Sequence, residues 1–121
     1  MERRIPTIDE YINESVRYGI DLIDMNSNEF KDLSKFGFKE TSDGENAYAE
    51  KIISESDPYS FYEISKWEDE KFRLFKQVSW GPGENVDIYD SSGTNHDANK
   101  RTFKKYGMTF NEIINVLKKI I

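Results

Sequence analysis

The chain has 121 residues, of which 36% are hydrophobic and 33% are charged, and its formal net charge is −6. This length fits one domain with a small core, and the 8 Phe, 7 Tyr and 2 Trp residues argue against disorder because rings bury large apolar areas. Cysteine is absent, which excludes disulfides, thiolate nucleophiles and cysteine-ligated metals. No long apolar run predicts a signal peptide or a membrane span, so we expect a cytoplasmic protein without membrane partners.

Charge is divided unevenly along the chain. Residues 1–99 contain 22 Asp and Glu against 11 Lys and Arg, whereas residues 100–121 contain 1 against 6. A basic segment on an acidic chain indicates either an interaction surface for a partner of opposite charge or close packing beside the acidic segments.

A long amphipathic helix is predicted near the N-terminus. Residues 1–7 show neither a helical nor a strand period, so we expect an extended arm there. Thr7 and Glu10 have the spacing of a capping box, and apolar residues then recur every three or four positions. This pattern predicts a helix over 8–24.

A second, shorter helix is predicted to complete a helical region over 8–36. Ser27 is placed to cap a helix over 28–36, and Gly37 is placed to end it in the left-handed conformation. Phe38 would then fold back on the last turn. The alternative is that Phe36 and Phe38 already belong to a strand, and in both cases Gly37 marks a boundary.

Residues 38–90 predict a mainly antiparallel sheet of four or five strands, because aromatic and β-branched runs alternate there with turn residues. Asp43 and Gly44 are typical of a two-residue hairpin turn. The clearest strand pair flanks an acidic turn at 68–70. The predicted strands are 38–42, 46–54, 59–67, 71–80 and 85–89.

The fourth predicted strand is expected to bury one face only. Its inward residues would be Phe72, Leu74, Val78 and Trp80. The residues that alternate with them are Arg73, Gln77 and Ser79, which would face solvent, and Phe75 and Lys76 do not fit the pattern.

The C-terminal third is predicted to contain a polar loop over 90–99 and a helix over 109–121. Thr109 and Glu112 again have capping-box spacing. The apolar stripe of this helix comprises Phe110, Ile113, Ile114, Leu117, Ile120 and Ile121. We expect this stripe to cover one face of the sheet, which makes the chain an α+β domain.

The polar loop contains the residues that best suit catalysis or cation binding. His96 beside Asp97, with Ser91 and Ser92 upstream, allows a serine–histidine–acid arrangement, but the sequence lacks a nucleophile elbow. The oxygen and nitrogen groups that could ligate a hard cation are those of Asp87, Asp90, Asn95, His96 and Asp97. Their order is not that of an EF-hand loop, so we expect a solvent-exposed histidine, no metal, no cofactor and no catalytic residue.

The basic segment 100–106 combines cations with aromatic rings. Its residues that could contact a nucleic acid are Lys100, Arg101, Phe103, Lys104, Lys105 and Tyr106. Cations neutralise phosphates and rings stack bases, so nucleic-acid binding is one interpretation. The other is an amphipathic element whose cations are simply solvated.

The predicted sheet carries an acidic and aromatic set of residues that suits a protein partner. They are Tyr59, Tyr62, Trp67, Glu68, Asp69, Glu70 and Trp80. Such a surface could meet a partner with a basic groove. The alternative interpretation of these residues is that they form a solvated hairpin tip and that their charges protect a sheet edge against the addition of another strand.

Residues 5–15 read IPTIDEYINES. This segment resembles the short leaders that open many proteins of large tailed bacteriophages. In those phages the head-maturation protease cuts after a glutamate two residues beyond Ile or Leu, so the resemblance implies a cleavage site at Ile12-Asn13-Glu14. It also implies a location in the host cytoplasm or in the virion.

The sequence therefore predicts a non-enzymatic protein-binding module, encoded by a phage and acting as an accessory or host-interaction protein. An inhibitor or immunity-like protein is a narrower form of the same prediction. The first alternative is a small nucleic-acid-binding module that uses residues 100–106, and the second is a small enzyme that uses the 87–97 loop. The partner, the oligomeric state and the strand order are left open.

Overall fold

The chain folds into an antiparallel sheet with helices on both of its faces. The computed structural model describes residues 23–42, 47–68, 70–80 and 83–121. Within these residues the strands are β1 (Lys39–Ser42), β2 (Ala47–Ser54), β3 (Asp57–Glu68), β4 (Lys71–Trp80), β5 (Gly83–Tyr89) and β6 (Asn95–Asp97). The helices are α1 (Ser27–Ser34), α2 (Lys100–Lys105) and α3 (Phe110–Ile120). Each strand pairs with its neighbour in the chain, in the order β1 to β6.

Local signals in the sequence account for the ends of α1. Asn26 caps the helix and forms a capping box with Glu29, one residue earlier than the predicted cap at Ser27. Gly37 adopts a φ of 90°, as its position predicted. The Phe38 N–H then donates to the Leu33 carbonyl at 3.3 Å, so the chain folds back on the helix before entering β1.

One face of the sheet is covered by α1 and α3. Ile64 and Leu74 lie opposite each other on β3 and β4, and both are fully buried under the helices. The buried helix residues that pack there are Leu33, Ile113, Val116 and Leu117. The prediction that the C-terminal helix covers a sheet face is therefore confirmed. Two details differ, because Val116, which was not in the predicted stripe, is buried and Ile121, which was, is exposed.

The opposite face is covered in part by α2 and combines aromatic and polar groups. Phe103 of α2 packs its ring against Phe75 of β4, with 5.4 Å between the ring centroids. Beside this pair, the Arg73 Nε donates to the Phe103 carbonyl. Arg73 and Gln77 are both buried, so the prediction that they face solvent is wrong. The reason is that β4 is an inner strand with both faces covered.

Two isolated backbone bridges add one residue to each side of the hairpin formed by β3 and β4. The Ile23 N–H donates to the Lys66 carbonyl at 2.9 Å, beyond the point where β2 stops pairing with β3. On the other side, Phe72 and Met108 exchange backbone hydrogen bonds of 2.7 and 2.8 Å. Lys66 also forms a buried ion pair with Glu29 at 3.3 Å, which ties α1 to β3.

The structure differs from the remaining predictions mainly in its strand count. It adds β6 inside the predicted polar loop 90–99, and β3 begins at Asp57 rather than at residue 59. The pairing of 38–42 with 46–54 is confirmed by β1 and β2. The extended arm 1–7, the predicted helix up to residue 22 and the Asp43-Gly44 turn lie outside the described residues. The prediction that the first helix reaches residue 24 is wrong, because Ile23 forms a backbone bridge to Lys66 and residues 24–26 are not helical. The predicted helical region 8–36 is therefore interrupted before α1, which ends at Ser34.

Candidate interaction surfaces

The segment around Asp90 is an ordered loop built on one carboxylate. Asp90 Oδ1 accepts from the Ser92 N–H at 2.9 Å, the Ser92 hydroxyl at 2.6 Å and the Thr94 N–H at 3.1 Å. Asp90 Oδ2 lies 2.7 Å from Nε2 of His96. Burial disfavours the charged carboxylate, but the hydrogen bonds outweigh it and hold the pKa of Asp90 well below its usual range.

His96 is a half-buried member of this loop. Its ring stacks on Tyr106 with 4.3 Å between the centroids and 13° between the planes. The expectation of a solvent-exposed histidine is therefore wrong. The stacking of His96 on Tyr106 was not predictable from the polar sequence around His96, because α2 lies between the two residues in the chain and only the fold brings them together.

The loop groups do not form a serine–histidine–acid triad. The Ser92 hydroxyl donates to Asp90 rather than to the imidazole, so the histidine does not activate this serine. In the described part of the chain, no group of three or more histidine or acidic side chains is arranged to hold a metal ion. Asp87 and Asp97 lie directly opposite each other on β5 and β6, and Asp87 accepts a hydrogen bond from Asn95 at 3.1 Å.

The basic segment forms α2 and turns its aromatic residues inward. Phe103 is 2% exposed. The Tyr106 ring stacks on His96, and the Lys105 ammonium lies 5.3 Å from the centroid of the Tyr106 ring. Arg101, Lys104 and Lys105 are exposed. The side chain of Lys100 lies outside the described part of the chain, and the structure separates the other predicted nucleic-acid residues into exposed cations and rings engaged in packing.

The acidic and aromatic set is spread over both faces and both ends of the central hairpin. Tyr62 contacts Tyr89 on the face that α1 and α3 cover. Trp67 lies on the other face, where the Arg73 guanidinium stacks 3.9 Å from its ring centroid. Burial, and then the neighbouring Tyr62, raise the pKa of Tyr89 to about 12, so the Tyr89 hydroxyl stays neutral and hydrogen-bonds to Tyr62.

The remaining members of this set mark the two ends of the strands. Glu70 is exposed at the hairpin tip, next to Glu68, whose backbone pairs with Lys71. Trp80 pairs with Gly83 at the far end of β4, roughly 30 Å away at ~3.3 Å per residue. Tyr59 is half-buried near the start of β3, and Asp69 lies outside the described residues. These residues therefore do not form one continuous surface.

A further surface, which the sequence interpretation missed, lies at the edge of β2. β1 pairs only with Ala47–Glu50, whereas β3 pairs with β2 as far as Ser54. Within the described residues, 51–54 therefore have a strand on one side only. Ile52 and Ile53 are each 39% exposed there. A cleft of about 620 Å³ runs along this edge, lined among others by Lys39, Lys51 and Glu55.

The adjacent isoleucines were the available signal for this edge. Two neighbouring apolar residues in a strand point to opposite faces, so at least one of them must lack the cover of a one-sided core. The length of β1, which decides how much of β2 is left uncovered, depends on the turn at Gly37 and was not predictable to the residue.

No protein-family model, curated protein or solved structure matches this chain. Among the described residues, no helix is both long enough and apolar enough to cross a bilayer. The function is therefore inferred from the surfaces themselves.

Proposed function

We propose that the chain is a non-enzymatic protein-binding module that takes up an extended segment of its partner at the edge of β2. The exposure of Ile52 and Ile53, on a part of β2 that pairs with a strand on one side only among the described residues, carries this proposal. Natural sheets protect such edges with charge, proline or a covering element, because backbone donors and acceptors on an open edge recruit other strands. An apolar pair on an open edge is typical of strand addition, in which main-chain hydrogen bonds provide affinity and side-chain pockets provide specificity.

Charge along the cleft indicates the chemistry of the partner segment. Lys39 is exposed at one end, opposite Glu50, and Glu55 is exposed at the other end. Lys51 is already engaged, because its ammonium donates to the Phe36 carbonyl at 2.8 Å. The favoured partner is an extended segment with an acidic residue facing Lys39, a basic residue facing Glu55, and β-branched or aromatic residues between them.

The non-enzymatic part of the proposal is supported by the loop around Asp90. The Asp90 carboxylate there bonds to both Ser92 and His96, and the Ser92 hydroxyl does not bond to the imidazole. The resemblance of residues 5–15 to phage leaders predicts that the partner is a bacterial host protein. Those residues lie outside the described part of the chain, so phage origin, leader cleavage and an inhibitor-like role stay predictions.

The test is a selection of displayed random linear peptides on the folded protein, followed by titration of the selected peptides. We expect Ile52→Ser and Ile53→Ser to weaken binding at least about tenfold, or about 1.4 kcal/mol, because the apolar anchors are lost. Ile121→Ser is the matched control, since Ile121 is also an exposed isoleucine but lies at the end of α3.

Amide hydrogen exchange locates the bound peptide independently of these variants. Exchange of residues 51–54 should slow when a selected peptide binds, because the open edge becomes hydrogen-bonded. Peptides that bind all three variants alike, or protection that maps elsewhere, would contradict the proposal.

A further inference from the structure

A second surface with a different chemistry lies beside α2. A cleft of about 770 Å³ is lined, among the described residues, by Asn99, Arg101, Thr102 and Lys104. Asn99 Oδ1 already accepts from the backbone of Arg101 and Thr102, and the Thr102 hydroxyl bonds to the backbone of Asn99. The Arg101 guanidinium and the Lys104 ammonium are therefore the groups left to meet a ligand.

These cations belong to a continuous basic side of the helix. Arg101, Lys104 and Lys105 are spaced by three and four residues, which places them on neighbouring positions of the α2 surface. All three are exposed, and no carboxylate of the described residues forms an ion pair with them. Their charge is therefore available to a partner.

The C-terminal end of α3, which covers the other face of the sheet, brings one more lysine to the loop between β5 and β6. The Lys119 ammonium donates to the Ser92 carbonyl at 3.3 Å, in the loop that Asp90 organises. His96 of that loop stacks on Tyr106, which lies next to Lys105. The loop thus joins the cations of α2 to those of α3.

We propose that this basic side, with the cleft of Arg101 and Lys104 at its centre, binds the phosphodiester backbone of a nucleic acid without reading its sequence. Phosphates need cationic donors, which the described lining of the cleft supplies without an opposing carboxylate. A protein partner would need an apolar anchor, and no apolar side chain is found among the described lining residues.

The packing of the aromatic residues explains why base readout is not expected. Phe103 is buried against Phe75, and one face of Tyr106 is covered by His96. Neither ring is free to stack on a base, so the preference for single strands that free rings confer is absent. Duplex and single-stranded DNA of random sequence should bind with similar affinity.

The experiment is a fluorescence-anisotropy titration of labelled random-sequence DNA with the full chain over a series of salt concentrations. The double variant Arg101→Gln/Lys104→Gln should bind more weakly, and the slope of log affinity against log salt should fall by about 2, since each lost contact removes about 0.9. Lys31→Gln/Lys35→Gln is the matched control, because it removes two exposed cations at the end of α1, one in its last turn and one at its C-cap.

Several outcomes would overturn the proposal. They are no binding by the parent protein at low salt, an equal loss in the two double variants, or a strong preference for one base. Poly-glutamate that competes as well as DNA at equal charge would assign the surface to an acidic protein instead. Thermal melts of both variants should match the parent, because the substituted side chains are exposed.

Discussion

At the scale of single residues, Asp90 has the largest structural role of the polar side chains in the C-terminal third. One carboxylate satisfies two N–H groups and a hydroxyl and holds His96 against Tyr106. Since Tyr106 follows α2 directly, the position of that helix depends on this loop. A residue that the sequence marks only as a turn former is therefore part of the support for the basic side of the molecule.

Asp90→Asn should destabilise the fold by about 1–2 kcal/mol at neutral pH, because hydrogen bonds to a charged acceptor are replaced by weaker ones. The pKa of Asp90 is lowered by folding, so the stabilisation is present above its unfolded pKa of about 4 and is lost as the pH falls through the folded value. Urea unfolding at neutral and acidic pH measures the difference from the parent, which should shrink in acid.

The control for this prediction is Asp32→Asn. Asp32 forms only an exposed ion pair with Lys35, so its replacement should change stability by less than about 1 kcal/mol at either pH. An Asp90→Asn protein as stable as the parent at neutral pH would show that the loop carries no stability.

At the scale of elements, α3 is the helix on which the sheet depends most. Ile113, Val116 and Leu117 are completely buried. Deletion of 109–121 should therefore unfold the domain, because each large side chain contributes ~1.5–3 kcal/mol and a whole domain has only ~5–15. Leu117→Ala should cost about 2–5 kcal/mol, whereas Asn115→Ala on the exposed side of α3 should cost little.

Circular dichroism melts test both changes. A deletion variant that keeps a cooperative melt near the parent temperature would mean that α3 is an appendage. An Asn115→Ala loss as large as that of Leu117→Ala would mean that the helix is packed differently from the structure.

The same elements show what the sequence could predict. Capping boxes, glycine at a helix end and apolar stripes are local signals, and they located α1 and α3 to within one or two residues. The prediction for β4 was wrong because arginine and glutamine are usually surface residues. Arg73 is buried beside α2, where it donates to the Phe103 carbonyl, and Gln77 is buried with a hydrogen bond to the Tyr59 carbonyl of β3. β6 was missed because three polar residues pair with β5 without any apolar alternation.

The candidate sites were less predictable than the fold, because they too depend on contacts between residues that are far apart in the sequence. The cations of 100–105 were found because a charge run is visible in one dimension. Whether Phe103 and Tyr106 face a ligand or the core is decided by long-range contacts with Phe75 and His96. The edge at Ile52 and Ile53 exists only because β1 is shorter than β2, which is a property of the assembled sheet.

At the scale of the whole molecule, α3 runs between the tip of the β3–β4 hairpin and the loop between β5 and β6. Its first turn borders the hairpin tip, where Glu70, Thr109 and Phe110 line a shallow cleft of about 270 Å³. Its last turn carries Lys119 to the loop at Ser92. The two ends lie roughly 16 Å apart at ~1.5 Å per residue over 11 residues.

The strand order also determines the sequence of folding events. Since every strand pairs with its chain neighbour, the sheet can grow by successive hairpins that close only short loops. The bridges of Ile23 to Lys66 and of Met108 to Phe72 close much longer loops, so they should form after the rate-limiting step.

In stopped-flow kinetics, Met108→Ala should therefore speed unfolding and leave the folding rate nearly unchanged, whereas Ile64→Val in the central hairpin should slow folding. A Met108→Ala protein that folds several-fold more slowly would instead place this closure in the nucleus. With late closures, we expect the bridges of Ile23 and Met108 to open first, while the central strands stay paired. The two proposed binding surfaces would then differ in how long they stay folded during partial unfolding. The β2 edge would persist because it belongs to the early hairpins, whereas the basic side would be lost first because it docks last.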